Sequence, residues 1–185
     1  MTALRADTDT DTAAADTDAA ADIAELAGRV RRLSDVSDLR DLVDRYLRSL
    51  DDGHFDDAWA RSLFTADAVL TFPVGSHRGR DGLAQFTDGI MRRWARTLHH
   101  GSTCSAEVTG DDAAVTWNLF ASHVHAGSPP PPAPSDVFHL GGVFTAAAVR
   151  TVEGWRFRRL SLRITWAAGA AAGGVPPIDP RTVDG

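Results

Sequence analysis

The apolar residues of this chain change their spacing once, and that change limits the fold more than any other feature. Between positions 39 and 50, Leu39, Leu42, Val43, Tyr46, Leu47 and Leu50 recur three and four residues apart, a continuous stripe down one face of an α-helix. Ser34, Asp35 and Ser37 stand ahead of the stripe as candidate caps, and Asp51-Asp52-Gly53 ends it. A short helix over 55–63 carrying Trp59, a strand over 68–74 closed by Pro73 and Gly75, and a third helix from Asp81 to about Arg96 follow. After them the period is two, which predicts strands near 98–108, 113–125, 137–150 and 155–166. Helices first and an antiparallel meander afterwards predict an α+β fold whose curved sheet wraps the long helix, not a parallel βαβ array. In the last strand the apolar positions are odd at Trp155 and Phe157 but even at Leu160, Leu162, Ile164 and Trp166. A phase flip of that kind predicts a β-bulge, and a bulged, curved sheet has a concave face able to form a pocket.

The length of 185 residues suits one domain with flexible ends. Residues 1–21, rich in Ala, Thr and Asp, carry too little apolar area to offset ordering entropy and are expected to be a disordered acidic tail. Residues 169–185, rich in Gly, Ala and Pro, are expected to be a flexible C-terminal tail, which leaves 22–168 as the domain. The formal net charge is −6, and residues 1–22 hold six Asp against one Arg, so the remainder is close to neutral. A near-neutral body with no basic stripe gives neither nucleic acid nor an anionic membrane a footprint, and points to a small molecule as the partner. All 19 basic residues are Arg, so Schiff-base chemistry and a lysine base are excluded. The lone Cys104 excludes an internal disulfide and suits a reducing cytoplasm. No apolar run is long enough to span a membrane, and the acidic start does not look like a secretion signal, so the chain is expected to be soluble and cytoplasmic.

Strand alternation puts Val115, Trp117, Leu119, Ala121, His123 and His125 on one face, so two imidazoles end an otherwise apolar row. The His99-His100 pair opens the neighbouring strand, and only one of the two can face inward. Asp51 follows directly on Leu50 at the end of the apolar stripe. Taken singly, each of these groups reads more simply as a half-exposed strand end or a solvated loop acid. Together, a carboxylate beside imidazoles in an apolar cleft is general acid/base equipment, since the acid fixes the tautomer of the histidine and stabilises its cation. A metal site ranks below this, because His123-x-His125 has no third ligand in reach of the sequence pattern.

RYLRSLDDGHFD (45–56), LFTADAVLTF (63–72), RTLHHGS (96–102) and EGWRFRRLSLRITW (153–166) resemble, as an ordered set over about residues 35–168, scytalone dehydratase and the SnoaL-like polyketide cyclases of the nuclear transport factor 2-like superfamily. The resemblance implies a cone-shaped α+β fold with an internal pocket and catalysis without metal or organic cofactor. It places the catalytic acid on Asp51 and the two imidazoles on His99 and His125, with Asp51 holding His125 and His99 exchanging a proton with the substrate. Two tyrosines of the dehydratase fall on Leu50 and Phe72, which cannot donate a hydrogen bond, and two further polar pocket residues fall near Val143 and Thr145. The expected pocket is therefore lined by Leu50, Trp59, Phe72, Trp117, His123, Val143 and Thr145.

These readings converge on a cofactor-free lyase or cyclase that dehydrates, cyclises or isomerises a hydrophobic secondary metabolite. A non-catalytic binding or assembly module on the same fold is the alternative, and an epoxide hydrolase ranks last because no Asp, Arg and Asp set is evident. The proline-rich stretch 126–136 is either a stiff flap over the pocket or a surface excursion. Apolar residues on both strand faces, Phe120, Phe138 and Phe144 among them, suggest a homodimer or homotrimer.

Overall fold

The computed structural model describes residues 7–171, with side chains from residue 19 onward. The outermost parts of both expected tails, 1–6 and 172–185, lie outside the described residues. Helix α1 spans Asp7–Asp52, so regular structure begins inside the stretch expected to be disordered. The Ala13–Ala15 and Ala19–Ala21 runs explain the difference, because alanine has the highest helix propensity and these runs extend a helix nucleated downstream. The chain divides into two bodies between Ser37 and Asp38. The first is the described part of α1 up to Ser37; the second, from Asp38, carries everything discussed below.

In the second body the predicted stripe is the heart of the core: Leu39, Leu42, Val43, Tyr46, Leu47 and Leu50 are all buried. Each such side chain contributes roughly 1.5–3 kcal/mol of transfer free energy, which is why the helix docks by this face. α1 stops where Gly53 takes φ +67° and returns its N–H to the Ser49 carbonyl at 3.2 Å. Helix α2 (Asp57–Leu63) is capped by the Asp56 carboxylate, which accepts the Trp59 N–H at 2.6 Å. Strand β1 (Phe64–Phe72) follows at once and turns through Pro73 and Val74 into β2 (Gly75–Arg78).

Helix α3 covers only Leu83–Met91, and strand β3 begins at Trp94, inside the span expected to be helical. The meander continues with β4 (Asp112–His125), β5 (Val137–Thr151) and β6 (Gly154–Ala168). Sheet order is β2-β1-β6-β5-β4-β3, antiparallel throughout except that β1 runs parallel to β6. The result is a mixed six-stranded sheet in an α+β body, as the order of periodicities predicts. No described helix is long and apolar enough to cross a membrane.

Two bulges shape β6. Ala147 pairs with Arg159 and Ala148 with Phe157, which leaves Arg158 as the extra residue and accounts for the phase flip visible in the sequence. Gly141 pairs with Trp166 and Gly142 with Ile164, so Thr165 is a second extra residue. This second bulge, which the sequence pattern does not disclose, turns Trp166 to the outer face, where it is exposed. β3 bends as well, with a register shift between Ser102 and Ser105 and Thr103 at φ +55°. A Cβ on Gly142 would lie 2.7 Å from the Arg163 carbonyl oxygen and 3.3 Å from Ile164 Cα, both main chain. Gly142→Ala is therefore expected to cost about 2 kcal/mol by overpacking the second bulge, measured as a lowered urea midpoint with unchanged slope.

Candidate active site

The last turn of α1 delivers Asp51 to the inner end of β3. Its Oδ1 accepts the Thr97 hydroxyl at 2.8 Å and the His99 Nδ1–H at 2.7 Å, and its Oδ2 accepts the His99 backbone N–H at 2.9 Å. A carboxylate at a helix C-terminus meets the negative end of the helix dipole, so three donors are what make this position tenable. Burial pushes the Asp51 carboxyl up, but the His99 ring, the His99 amide and the Thr97 hydroxyl together outweigh it and hold the group below the usual carboxylate range. Because a carboxylate only accepts, Nδ1 of His99 carries the proton and Nε2 keeps its lone pair. The His99 side chain is 6 % exposed and lines an apolar cavity, so that lone pair is the basic atom presented to a guest.

β-alternation settles the His99-His100 choice. His99 opposes Ala121, a buried inner residue, and His100 opposes Phe120 on the outer face. Between β4 and β5, His123 opposes Phe138 and Trp117 opposes Phe144, and directly opposed residues share a face. All four are buried, with the His123 and His99 rings 5.1 Å apart and nearly perpendicular. Burial, helped by the neighbouring His99, lowers the His123 pKa to about 4, so this imidazole is neutral at ordinary pH. Its Nδ1 is buried without a hydrogen-bond partner.

The structure departs from the sequence reading at seven positions. His125 does not join Asp51: its Nε2–H donates to the Ala170 carbonyl at 2.8 Å and its ring lies 5.1 Å from Trp94. Two residues beyond His123 the strand has run past the cavity, so the partner of Asp51 is His99 and the second imidazole is His123. Val143 and Thr145 face outward, Thr145 Oγ1 meeting Ser161 Oγ at 2.6 Å, because the ladder that turns Trp117 and His123 inward turns the even residues of β5 inward too. Phe138 and Phe144 are accordingly cavity walls and not outer-face residues. Trp117 stays in the core beneath, stacked on Phe144 at 4.8 Å and on Phe157 at 5.9 Å. Trp59 is a fastener for the end of α1, its Nε1–H donating to Ser49 Oγ at 2.8 Å. Leu50, Phe72 and His123 do line the cavity.

The cavity measures about 110 Å³, and sequence reasoning missed much of its wall: Tyr46, Thr87, Ile90, Trp94, Leu140 and Ala171. Tyr46 is legible in the sequence only as one more member of the apolar stripe, and Trp94 is hidden by the overlong third helix. Trp94 stacks on Phe138 at 5.7 Å and lies 4.8 Å from His123, closing one side. Residues of the 126–136 stretch are not among those lining the cavity; Ala171, just after β6, is.

Comparison with known proteins agrees with this architecture. A family model described as a SnoaL-like domain matches residues 31–161. No protein of curated function matches the sequence. Among solved structures, one named for scytalone dehydratase, from Novosphingobium aromaticivorans, is similar at 24% identity and TM-score 0.66, over 80% of this chain and 95% of that one. A hexachlorocyclohexane dehydrochlorinase from Novosphingobium barchaimii is similar at 20% identity and TM-score 0.64, over 80% and 99%. A protein from Kribbella flavida is similar at 20% identity and TM-score 0.65, over 74% and 95%.

Proposed function

The chain belongs to the SnoaL-like domain family, and on that footing we propose that it is a lyase or isomerase that moves a proton on a neutral, apolar ring substrate. The observation that carries this reading is the Asp51–His99 pair, a carboxylate at 2.7 Å from Nδ1 with Nε2 left facing a carbon-lined cavity. Such a pair abstracts a proton as Asp51 steadies the imidazolium that results, and the effect is largest where water is scarce. His123 stays neutral beside it, which spares the His99 cation a like-charge neighbour. No Arg stands among the lining residues, so the pocket offers nothing to an anionic substrate. A volume near 110 Å³ is of the order of the roughly 150 Å³ cavity that takes a benzene-sized guest, which suits a single ring or one ring of a larger molecule. Two of the similar structures, named for a dehydratase and a dehydrochlorinase, bear names of eliminations, which supports elimination as the reaction class proposed here, although another is named for an aromatic ring hydroxylase.

The test is a panel of single-ring β-hydroxy ketones, such as 3-hydroxycyclohexanone, and chlorinated cyclohexanes, followed by enone absorbance and by chloride release. Turnover of at least one class, lost on His99→Gln in a variant with wild-type melting, is expected. Turnover that survives His99→Gln would remove the basis of the assignment, and binding without turnover of either class would make the pocket a carrier site.

A further inference from the structure

We infer that the first body of this chain is a pairing element: the apolar seam Ile23, Leu26, Val30 and Leu33 packs against the same seam of a second copy, the two helices running antiparallel. The inference goes beyond the proton-transfer reading and stands apart from it.

Ahead of the second body, α1 presents four large apolar side chains to solvent. Ile23 is 68 % exposed, Leu26 61 %, Val30 54 % and Leu33 72 %. Their spacing alternates three, four and three, which averages near 3.5 residues. That repeat keeps one narrow seam facing a partner helix, whereas a helix lying on a sheet carries a broader stripe. At 100° per residue the centre of this seam falls about 150° round the helix from that of Leu39–Leu50, so it does not continue the stripe of the core. The SnoaL-like match begins at residue 31, so three of the four seam residues lie ahead of it.

Charge selects a second copy and sets its direction. Asp22 and Glu25 flank the first half of the seam, and Arg29, Arg31 and Arg32 flank the second. An antiparallel pair centred on Gly28 layers Ile23 on the second copy's Leu33 and Leu26 on its Val30, a branched residue on an unbranched one each time. The same register sets Glu25 level with the second copy's Arg31, and Asp22 about 3 Å of rise from the level of its Arg32. Helix axes about 8–10 Å apart lie within one screening length, so the opposed acidic and basic halves attract. A parallel pair would accept the same apolar residues but set Asp22 beside Asp22 and Arg29 beside Arg29. It would also run the acids from Asp7 to Asp18 of the two copies side by side. With about 100 Å² for each seam side chain, and with Ala20, Ala27 and Ser34 on the flank, the pair buries on the order of 1,000 Å², the low end of specific interfaces. The dimer is therefore weak and concentration-dependent. An anionic membrane is the poorer fit, because a helix lying on lipid has a wide apolar face and a basic polar one. From Asp7 to Glu25 this helix carries seven acids and no base.

Sedimentation equilibrium of the full chain tests the pairing. Wild type should associate with rising concentration, and Leu26→Gln/Val30→Gln should weaken that association at least about tenfold while leaving melting unchanged. Raising NaCl from about 0.05 M to 0.5 M should weaken the wild-type pair, since screening removes an attraction; a parallel pair would gain. Disulfide mapping in a Cys104→Ser background fixes the direction. Oxidised mixtures of Ile23→Cys and Leu33→Cys chains should link, whereas Leu33→Cys alone should not, its two copies lying about 15 Å apart along the pair. A monomer at every concentration, association unchanged in Leu26→Gln/Val30→Gln, tightening with salt, self-linking of Leu33→Cys, or a monomer that sediments instead with phosphatidylglycerol vesicles would each overturn the assignment.

Discussion

Asp51→Asn is expected to lower turnover by about 10²–10⁴-fold, and His125→Gln to leave it within about threefold. The contrast follows from which imidazole the carboxylate holds. The side-chain amide introduced by Asp51→Asn can present an N–H to His99 Nδ1, which reverses the tautomer, puts the proton on Nε2 and removes the lone pair from the cavity; a comparable Asp-to-Asn change behind a catalytic histidine costs about 10⁴. The accompanying loss of a charge that steadies the His99 cation acts in the same direction. His125 has a different task, donating to the Ala170 carbonyl beside Ala171, and glutamine keeps a donor there. The measurement is the rate on whichever panel substrate wild type converts, with circular dichroism and melting to show intact folds. A large loss on His125→Gln, with Asp51→Asn near wild type, would return the pairing to the one that the family resemblance suggests.

Much of this is legible in the sequence because its signals are local. The stripe from Leu39 to Leu50 needs only helical geometry, and the alternation of β4 needs only the pleat; both place their buried residues as read. Asp51 is reachable because it is the next residue after the stripe. What cannot be read depends on pairing between strands distant in sequence. The resemblance assigns Val143 and Thr145 inward, whereas their facing is fixed by the register of β5 on β4, which no single strand states. The same holds for the choice between His123 and His125. Alternation gives them one face, yet only the depth of β4 against Trp94 and His99 shows that the cavity ends between them. Trp94 itself is lost to a helix drawn five residues too long, an error of boundary and not of element type. Tyr46 is a cavity-lining residue that the stripe pattern disguises as ordinary core.

Below neutral pH the buried His123 should become the weak point of the fold. It is 6 % exposed, its pKa is lowered to about 4, and burial is the main cause, with the neighbouring His99 charge adding to it. Asp51 and the Phe138 main chain favour the cation and His139 opposes it, but the balance stays with the neutral form. In the unfolded chain the ring titrates at the ordinary value of 6.5. Between pH 6.5 and about 4 the unfolded state therefore binds a proton that the native state does not, so stability rises with pH across that window and falls as the solution is acidified. The full effect, reached below pH 4, amounts to about 3 kcal/mol. Asp51 works in the same direction but lower down, because a carboxyl held below its usual range keeps its stabilising bonds until the pH drops beneath that range. Urea unfolding at pH 7.0, 5.5 and 4.5 separates the two. Wild type should lose stability steadily over this series, and His123→Phe, which keeps the ring volume against Trp94 and Phe138, should lose distinctly less. Equal slopes in the two proteins would mean that the His123 ring reaches solvent or an ionised acid in the native state, and its role as the neutral neighbour of His99 would go with them.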